Sequence, residues 1–233
     1  MEGDLVALYA ISDLHLDLNG DKPMDIFGEN WQNHSEKIKV NWLKTITEED
    51  TVLIAGDISW SMKMEDGLKE LQWIHQLPGR KIFIKGNHDY WWGSISRLNS
   101  LYEDMNFIQN NFFSYGEYAI CGTRGWAFPD GENFTQKDQK IYERELIRLK
   151  LSIDCAVNAG YRKFIIMLHF PPLNDKQATS GFVDIINEIK PKTVIYGHLH
   201  GASLETAFNG MKDGVEYLIT SSDYIGFNPV RIL

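Results

Sequence analysis

The chain has 233 residues, of which 43% are apolar, 12% aromatic and 24% charged. That is ordinary globular composition, which excludes intrinsic disorder, collagen-like repeats and coiled-coil arrays, and the length suits one domain over residues 1–233. With 32 acidic against 23 basic residues the formal charge is −9; such a surface excludes passive coating of nucleic acid but leaves a locally positive cleft open.

In chain order, the aliphatic run Leu5–Ile11 predicts a buried strand that stops at Ser12-Asp13. A long polar loop, Asp17–Ser35, follows. Apolar residues at Ile38, Val40, Trp42, Leu43 and Ile46 then predict a helix over Glu36–Ile46. Thr51–Ala55 predicts a second strand, running into Gly56-Asp57, and Leu68, Leu71, Ile74 and Leu77 predict a helix over Met64–Leu77. Lys81–Lys85 predicts a strand that ends at Gly86-Asn87-His88-Asp89, and Phe112–Thr123 reads as a strand pair. Gln136–Ala159 is the longest helical pattern. Phe164–Leu168 predicts a strand ending at His169, the loop Pro171–Gly181 follows, and Thr193–Tyr196 predicts a strand ending at Gly197-His198. Ala202–Thr220 reads as a second strand pair. Helices alternating with continuous aliphatic strands indicate an α/β fold whose sheets are covered on both sides, here two packed sheets with helices outside.

Cys121 and Cys155 have neither CxxC spacing nor enough partners for a disulfide framework, which predicts free thiols in a reducing compartment. The terminus Met1-Glu2-Gly3-Asp4 is acidic where a signal peptide needs basic residues, and aliphatic runs of about five residues fall far short of a membrane span. The expected location is the cytoplasm, with no membrane partner.

All five predicted strands end at polar clusters, and five of the seven histidines lie in those clusters. Ligands of α/β sheets gather beyond the carboxyl ends of the strands, so one common site is the economical reading. Imidazole, carboxylate and amide oxygen without thiolate fit a catalytic divalent-metal site rather than a structural zinc site. In Asp13-x-His15 and His198-x-His200, residues two apart along an extended segment project to one side and can address one metal or two neighbours. The candidate ligands Asp13, His15, Asp57, Asn87, His169, His198 and His200 are too many for one tetrahedral ion. They suit two ions sharing a carboxylate, which would clamp the oxygens of a displacement at phosphorus.

The ordered blocks Asp13-x-His15, Gly56-Asp57, Gly86-Asn87-His88-Asp89, His169 and Gly197-His198-x-His200 resemble the calcineurin-like metallophosphoesterase superfamily, with every motif position filled. The resemblance implies a four-layer αββα sandwich, two mixed β-sheets flanked by helices, with a dinuclear metal site at the strand ends. It implies that Asp13, His15 and His200 bind one ion, that Asn87, His169 and His198 bind the other, and that Asp57 bridges. It also implies that His88 works beside the scissile phosphate with Asp89 orienting it. The expected reaction is hydrolysis of a phosphomonoester or phosphodiester by a hydroxide bridging two divalent metals. Manganese, iron, zinc, cobalt and nickel all suit such ligands. With both ions, both aspartates and the hydroxide counted, the centre keeps a single positive charge, which favours an anionic substrate.

The expected partner is a small-molecule phosphoester, a nucleotide among the options. Trp60, Tyr90, Trp91, Trp92 and Trp126 lie near motifs or strand ends, where they either stack a nucleobase or aryl group or simply fill the space between sheet and helix. Arg124 either clamps phosphate or pairs with a nearby acid. After Gly56-Asp57 comes Ile58-Ser59-Trp60-Ser61-Met62, without the Asp-Arg that phosphoprotein phosphatases of the superfamily carry, which argues against that activity. The alternative to an enzyme is a non-catalytic metal-binding scaffold of the same fold, although relatives of that kind have lost ligands and this chain has the full set. Nuclease activity is disfavoured by the acidic balance.

Overall fold

A computed structural model describes residues 6–20, 22–129 and 134–233; Leu5 of the first expected strand and the Met1-Glu2-Gly3-Asp4 terminus lie outside the described residues. The first half of the chain supplies β1 (Leu8–Ile11), α1 (His34–Thr45), β2 (Thr51–Ala55), α2 (Met64–His75), β3 (Arg80–Ile84), the short α3 (Ile95–Leu98) and β4 (Met105–Phe107). The second half supplies β5 (Phe113–Tyr115), β6 (Tyr118–Thr123), α4 (Gln136–Asn158), β7 (Lys163–Leu168), α5 (Gly181–Ile189), β8 (Thr193–Tyr196), β9 (Gly210–Lys212), β10 (Val215–Ile219) and β11 (Val230–Arg231).

These strands form two mixed sheets. One runs β11-β1-β2-β3-β4, all parallel except β11, and the other runs β5-β6-β7-β8-β10-β9, with β5 and β9 antiparallel at its edges. The aliphatic runs are continuous because both faces of each strand are buried. In β2, Leu53 and Ala55 meet Ile165, Met167 and Ile195 of the other sheet, whereas Val52 and Ile54 pack under Ile38, Trp42, Leu71 and Ile74 of α1 and α2. On the other side, Cys121, Ile166 and Leu168 pack under Leu149 and Ile153 of α4 and Phe182 and Ile186 of α5. Helix, sheet, sheet, helix is therefore the layer order. No described helix is long and apolar enough to cross a membrane.

Two expectations change. The loop Pro171–Gly181 is followed by α5, which Ser180 caps by accepting a hydrogen bond from the Val183 amide at 3.3 Å. The loop Asp17–Ser35 is not simply polar. It folds into two 3-10 turns, Met24–Phe27 and Glu29–Trp31, and buries Met24 and Trp31.

Candidate metal centre

Three of the five strands that deliver candidate ligands, β1, β2 and β8, end in tight left-handed turns. Asp13 (φ 57°), His15 (φ 44°), Asp57 (φ 50°) and His198 (φ 73°) all adopt the left-handed region, which is costly for residues with a Cβ. Asp13 and His15 are therefore not two positions of an extended segment, as strand periodicity predicts. β1 ends at Ile11, and local left-handed turns aim both side chains at the site. Main-chain bonds stitch the turns together: the Asp13 amide donates to the Gly56 carbonyl at 2.9 Å, His15 to Asp57 at 3.0 Å, and Gly197 to His169 at 3.1 Å. The motif glycines allow this crowding. A Cβ on Gly86 would collide with Asp57 Oδ1, and one on Gly197 would collide with Asp13 Oδ2.

Two groups result, each with its ligand atoms within 4.8 Å of one another: Asp13, His15 and His200, and Asp57, His169 and His198. Asp13 is fixed by the Ser12 hydroxyl (2.6 Å) and the His198 amide (3.0 and 3.1 Å). Its Oδ1 lies 3.3 Å from His200 Nε2 and 3.9 Å from His15 Nε2. Asp57 Oδ2 faces both groups, 3.8 Å from His15 Nε2 and 3.4 Å from His169 Nε2. Asn87 Oδ1 lies 2.7 Å from His169 Nε2, which places it with the second group.

The electrostatics of these groups ask for cations. Burial raises the Asp13 carboxyl, but the hydrogen bond and charge of His200, with His169 and His15, outweigh it and hold Asp13 well below the usual carboxylate range. Burial also works against ionised Asp57, yet the charge and hydrogen bond of His169 bring it to about 2. Burial pushes His15 down to about 4; burial and the charge of His169 push His198 to about 3. For His169 and His200 the burial cost is overcome: Asp57 and Asp13 raise His169 to about 9, and Asp13 with Asp223 raises His200 to about 10. The buried, ionised carboxylates thus favour positive charge in each group. Among the described residues, Nδ1 of His15 and Nε2 of His200 are buried without a hydrogen-bond partner. The mixed oxygen and imidazole donor set of each group fits a divalent ion, and in the first group His200 Nε2, which faces Asp13, is left without a hydrogen-bond partner.

His88 stands beside the second group. Its amide donates to Asp57 Oδ1 at 2.8 Å, its Nε2 lies 3.9 Å from Asp57 Oδ2, and its half-buried ring lies 4.2 Å from that of Trp60. Burial lowers its pKa below the ordinary histidine value, against the charge of Asp57. Asp89 departs from its expected role, since its carboxylate makes no hydrogen bond to His88. Oδ1 accepts from the amides of Ile58 (2.9 Å) and Ser59 (3.2 Å) and from the Trp91 indole (3.1 Å), and Oδ2 accepts from the Gly86 amide (2.7 Å). Asp89 therefore pins the two loops that carry Asp57 and Asn87. A fully buried carboxylate beside several amides that have no other acceptor is more useful to the backbone than to a half-buried ring.

Of the two readings of Arg124, the structure shows the paired one. Its Nη2 lies 3.5 Å from Glu145 Oε1 and its guanidinium sits 4.4 Å over Trp126. The aromatics divide similarly. Trp91 is buried against Gly67, Trp92 packs into the first core, Tyr90 is exposed, and Trp126 lies under Arg124. Trp60 alone of the five lines the cleft, with His15 stacked at 4.8 Å. Sequence reasoning missed Asp223, whose Oδ1 accepts from His200 Nδ1 at 2.9 Å and whose Oδ2 accepts from the Gly201 amide at 3.2 Å. It also missed Trp31, edge-on to His15 and His200, and His34, whose Nε2 lies 3.1 Å from the His15 carbonyl. The signal for those two was present as apolar and imidazole side chains inside a segment that reads as polar.

Comparison with known proteins agrees with this geometry. A family model described as calcineurin-like phosphoesterase matches residues 7–202. The chain is 35% identical over 189 residues to the Gene 66 protein of Mycobacterium phage L5, spanning 81% of this chain and 75% of that one. It is 24% identical over 199 residues to the Gene 66 protein of Mycobacterium phage D29, spanning 85% and 82%. Among solved structures, TT1561 of Thermus thermophilus superposes with a TM-score of 0.60 at 13% identity over 97% of this chain and 98% of that one. AQ665 of Aquifex aeolicus, a protein of unknown function, gives 0.51 at 18% identity over 97% and 95%; these two likenesses concern the fold alone. The chain belongs to the calcineurin-like phosphoesterase family. Members of that family generally hydrolyse phosphoesters and typically bind divalent metals.

Proposed function

We propose that this protein hydrolyses a small-molecule phosphomonoester or phosphodiester, with two divalent ions held by the two groups. The observation that carries this reading is Asp57 Oδ2 standing between His15 of one group and His169 of the other, so that one carboxylate can serve both ions. Asp13, His15 and His200 would hold the first ion, and Asn87, His169 and His198 the second. Ions bound there supply Lewis acidity toward the phosphoryl oxygens and make hydroxide available from water near neutral pH. The surrounding residues do the rest. The Ser12 hydroxyl and His198 amide fix the Asp13 carboxylate, and Asp89 fixes the loops bearing Asp57 and Asn87, so that the ligand cage is preorganised. As the bond from phosphorus to the ester oxygen breaks, the His88 N–H would donate a hydrogen bond to the charge building on that departing oxygen, which then takes its proton from solvent. His88 is placed for this because its main chain is bonded to Asp57 while its ring faces the cleft.

The test is His88→Asn. Both metals should remain at wild-type stoichiometry by elemental analysis, while kcat/KM falls about 10²–10⁴-fold, most for esters with poor leaving groups. Loss of metal from that variant, or an equal loss for all leaving groups, would refute the role given to His88. A metal-loaded wild-type protein that turns over no phosphate ester would refute the enzyme reading itself.

A further inference from the structure

A cleft of about 340 Å³ opens onto both ligand groups and His88, and its other wall is apolar. That wall consists of Met24, Phe27, Trp31 and Trp60. Three of the four come from the two 3-10 turns after β1, and Trp60 follows β2. Trp31 is fully buried, so it forms the floor, whereas Phe27 is 58% exposed at the rim.

Hydrogen-bonding groups on this side are already used. The Trp60 indole N–H points to Met24 Sδ at 3.1 Å. Ser203 also lines the cleft, but its hydroxyl donates to the His200 carbonyl at 2.7 Å and accepts from the His200 amide at 2.9 Å. Lys22, which does not line the cleft, has its Nζ 5.1 Å from the Trp60 ring centroid. A polyol or sugar entering here would lose water without replacement partners, and stripping a hydroxyl without compensation is unfavourable. An apolar group would instead gain burial.

We infer that the ester this enzyme cleaves carries an apolar leaving group, an aromatic ring or a hydrocarbon chain, seated against Met24, Phe27 and Trp60. This rests on the phosphoesterase reading above, and it uses the position of His88: the ring facing the leaving oxygen is 4.2 Å from Trp60, so what leaves does so along the apolar wall. Sugar and polyol esters are poor substrates on the same grounds.

The experiment compares phenethyl phosphate, hexyl phosphate and glycerol 3-phosphate, all esters of primary alcohols and with glycerol the most acidic of the three, on manganese-loaded protein. In parallel, calorimetry measures binding of phenethylphosphonate and 3-hydroxypropylphosphonate, which cannot be hydrolysed. The apolar esters should exceed glycerol 3-phosphate in kcat/KM by roughly 10–100-fold, the value of burying about 100 Å² of apolar surface. Phe27→Ser should compress that ratio several-fold, and because Phe27 is exposed the variant should fold. Phenethyl above hexyl identifies a ring as the natural occupant, and the reverse identifies a chain. Equal rates for apolar and polar esters, or a ratio that Phe27→Ser does not change, overturns the inference while leaving the phosphoesterase reading intact. If neither these monoesters nor their methyl diesters are cleaved but phenethylphosphonate binds more tightly than its hydroxylated counterpart, the cleft assignment stands and the phosphoesterase reading falls.

Discussion

The two ligand groups are built from similar side chains but are braced differently. In the first, His200 is oriented by a carboxylate, with Asp223 Oδ1 2.9 Å from Nδ1, which leaves Nε2 to face Asp13. In the second, His169 is oriented by main chain, with Nδ1 3.0 Å from the Ala55 carbonyl, which leaves Nε2 to face Asn87 and Asp57. A carbonyl can only accept, so the Nδ1 proton of His169 is fixed by β2 itself. Asp223 adds a negative charge to the same arrangement and raises the basicity of the imidazole it holds. The difference teaches that one half of the centre is locked by the sheet, while the other is tuned by a replaceable side chain arriving from beyond β10.

The comparison breaks most openly at the histidines themselves. His169→Ala and His200→Ala should each cost several kcal/mol of transition-state stabilisation, on the order of 10³-fold in kcat/KM. Their metal contents should differ. His169→Ala should retain one ion per chain after dialysis, because the carboxylate-braced group is intact, and His200→Ala should retain less. Equal retention, measured by elemental analysis, would mean that bracing does not set affinity.

A smaller effect isolates the brace. Asp223→Asn removes the charge while preserving a carbonyl that can accept from His200 Nδ1. Metal affinity at the first group should fall about 10–100-fold with the second unchanged, read as a split in a cobalt titration followed by absorbance. Loss of both sites together would show that Asp57 couples them too tightly for separate braces to matter.

What could be read from the sequence follows the same division. The five strands that bear ligands were legible because each is a short aliphatic run buried on both faces that stops at polar residues, and the motif residues cluster at those stops. The left-handed turns at Asp13 and His15 were not legible, because strand periodicity carries no information once the strand has ended. Asp223 was invisible for a topological reason. It reaches His200 only because Ser12 and Ser222 join the ends of the two sheets, with Ser12 N–H to the Thr220 carbonyl at 2.8 Å and Ser222 N–H to the Ser12 carbonyl at 3.1 Å. β4 and β11 escaped because three and two residues are too short to show alternation, and α5 because its nine residues give too few turns for a helical period to stand out. Asp89 was found by its motif, yet three of its four partners are backbone amides, which no side-chain pattern reveals.

The weakest difference between the halves lies outside the ligands. The segment that leaves His15 is tied to α2 through Glu70, whose Oε1 accepts from the Leu18 amide at 3.1 Å, while Oε2 is buried without a partner. Burial raises this carboxyl from 4.5 to about 7, against the opposing hydrogen bonds of Ser59 and Leu18. The folded protein therefore binds a proton at Glu70 more tightly than the unfolded chain does. Its contribution to stability is fully present below pH 4.5 and is lost as the pH rises through about 7. Glu70→Gln keeps an acceptor for Leu18 but never ionises. The variant should match wild type near pH 4.5 and exceed it at pH 8 by about 3 kcal/mol, or roughly 6–12 °C in Tm. Differential scanning fluorimetry of metal-loaded protein across that range decides it, since titration of the ligands is common to both proteins and cancels. A Glu70→Gln variant less stable at every pH would mean that the carboxylate is ionised in the fold, and that the first half is braced by charge at Leu18 as well as at His200.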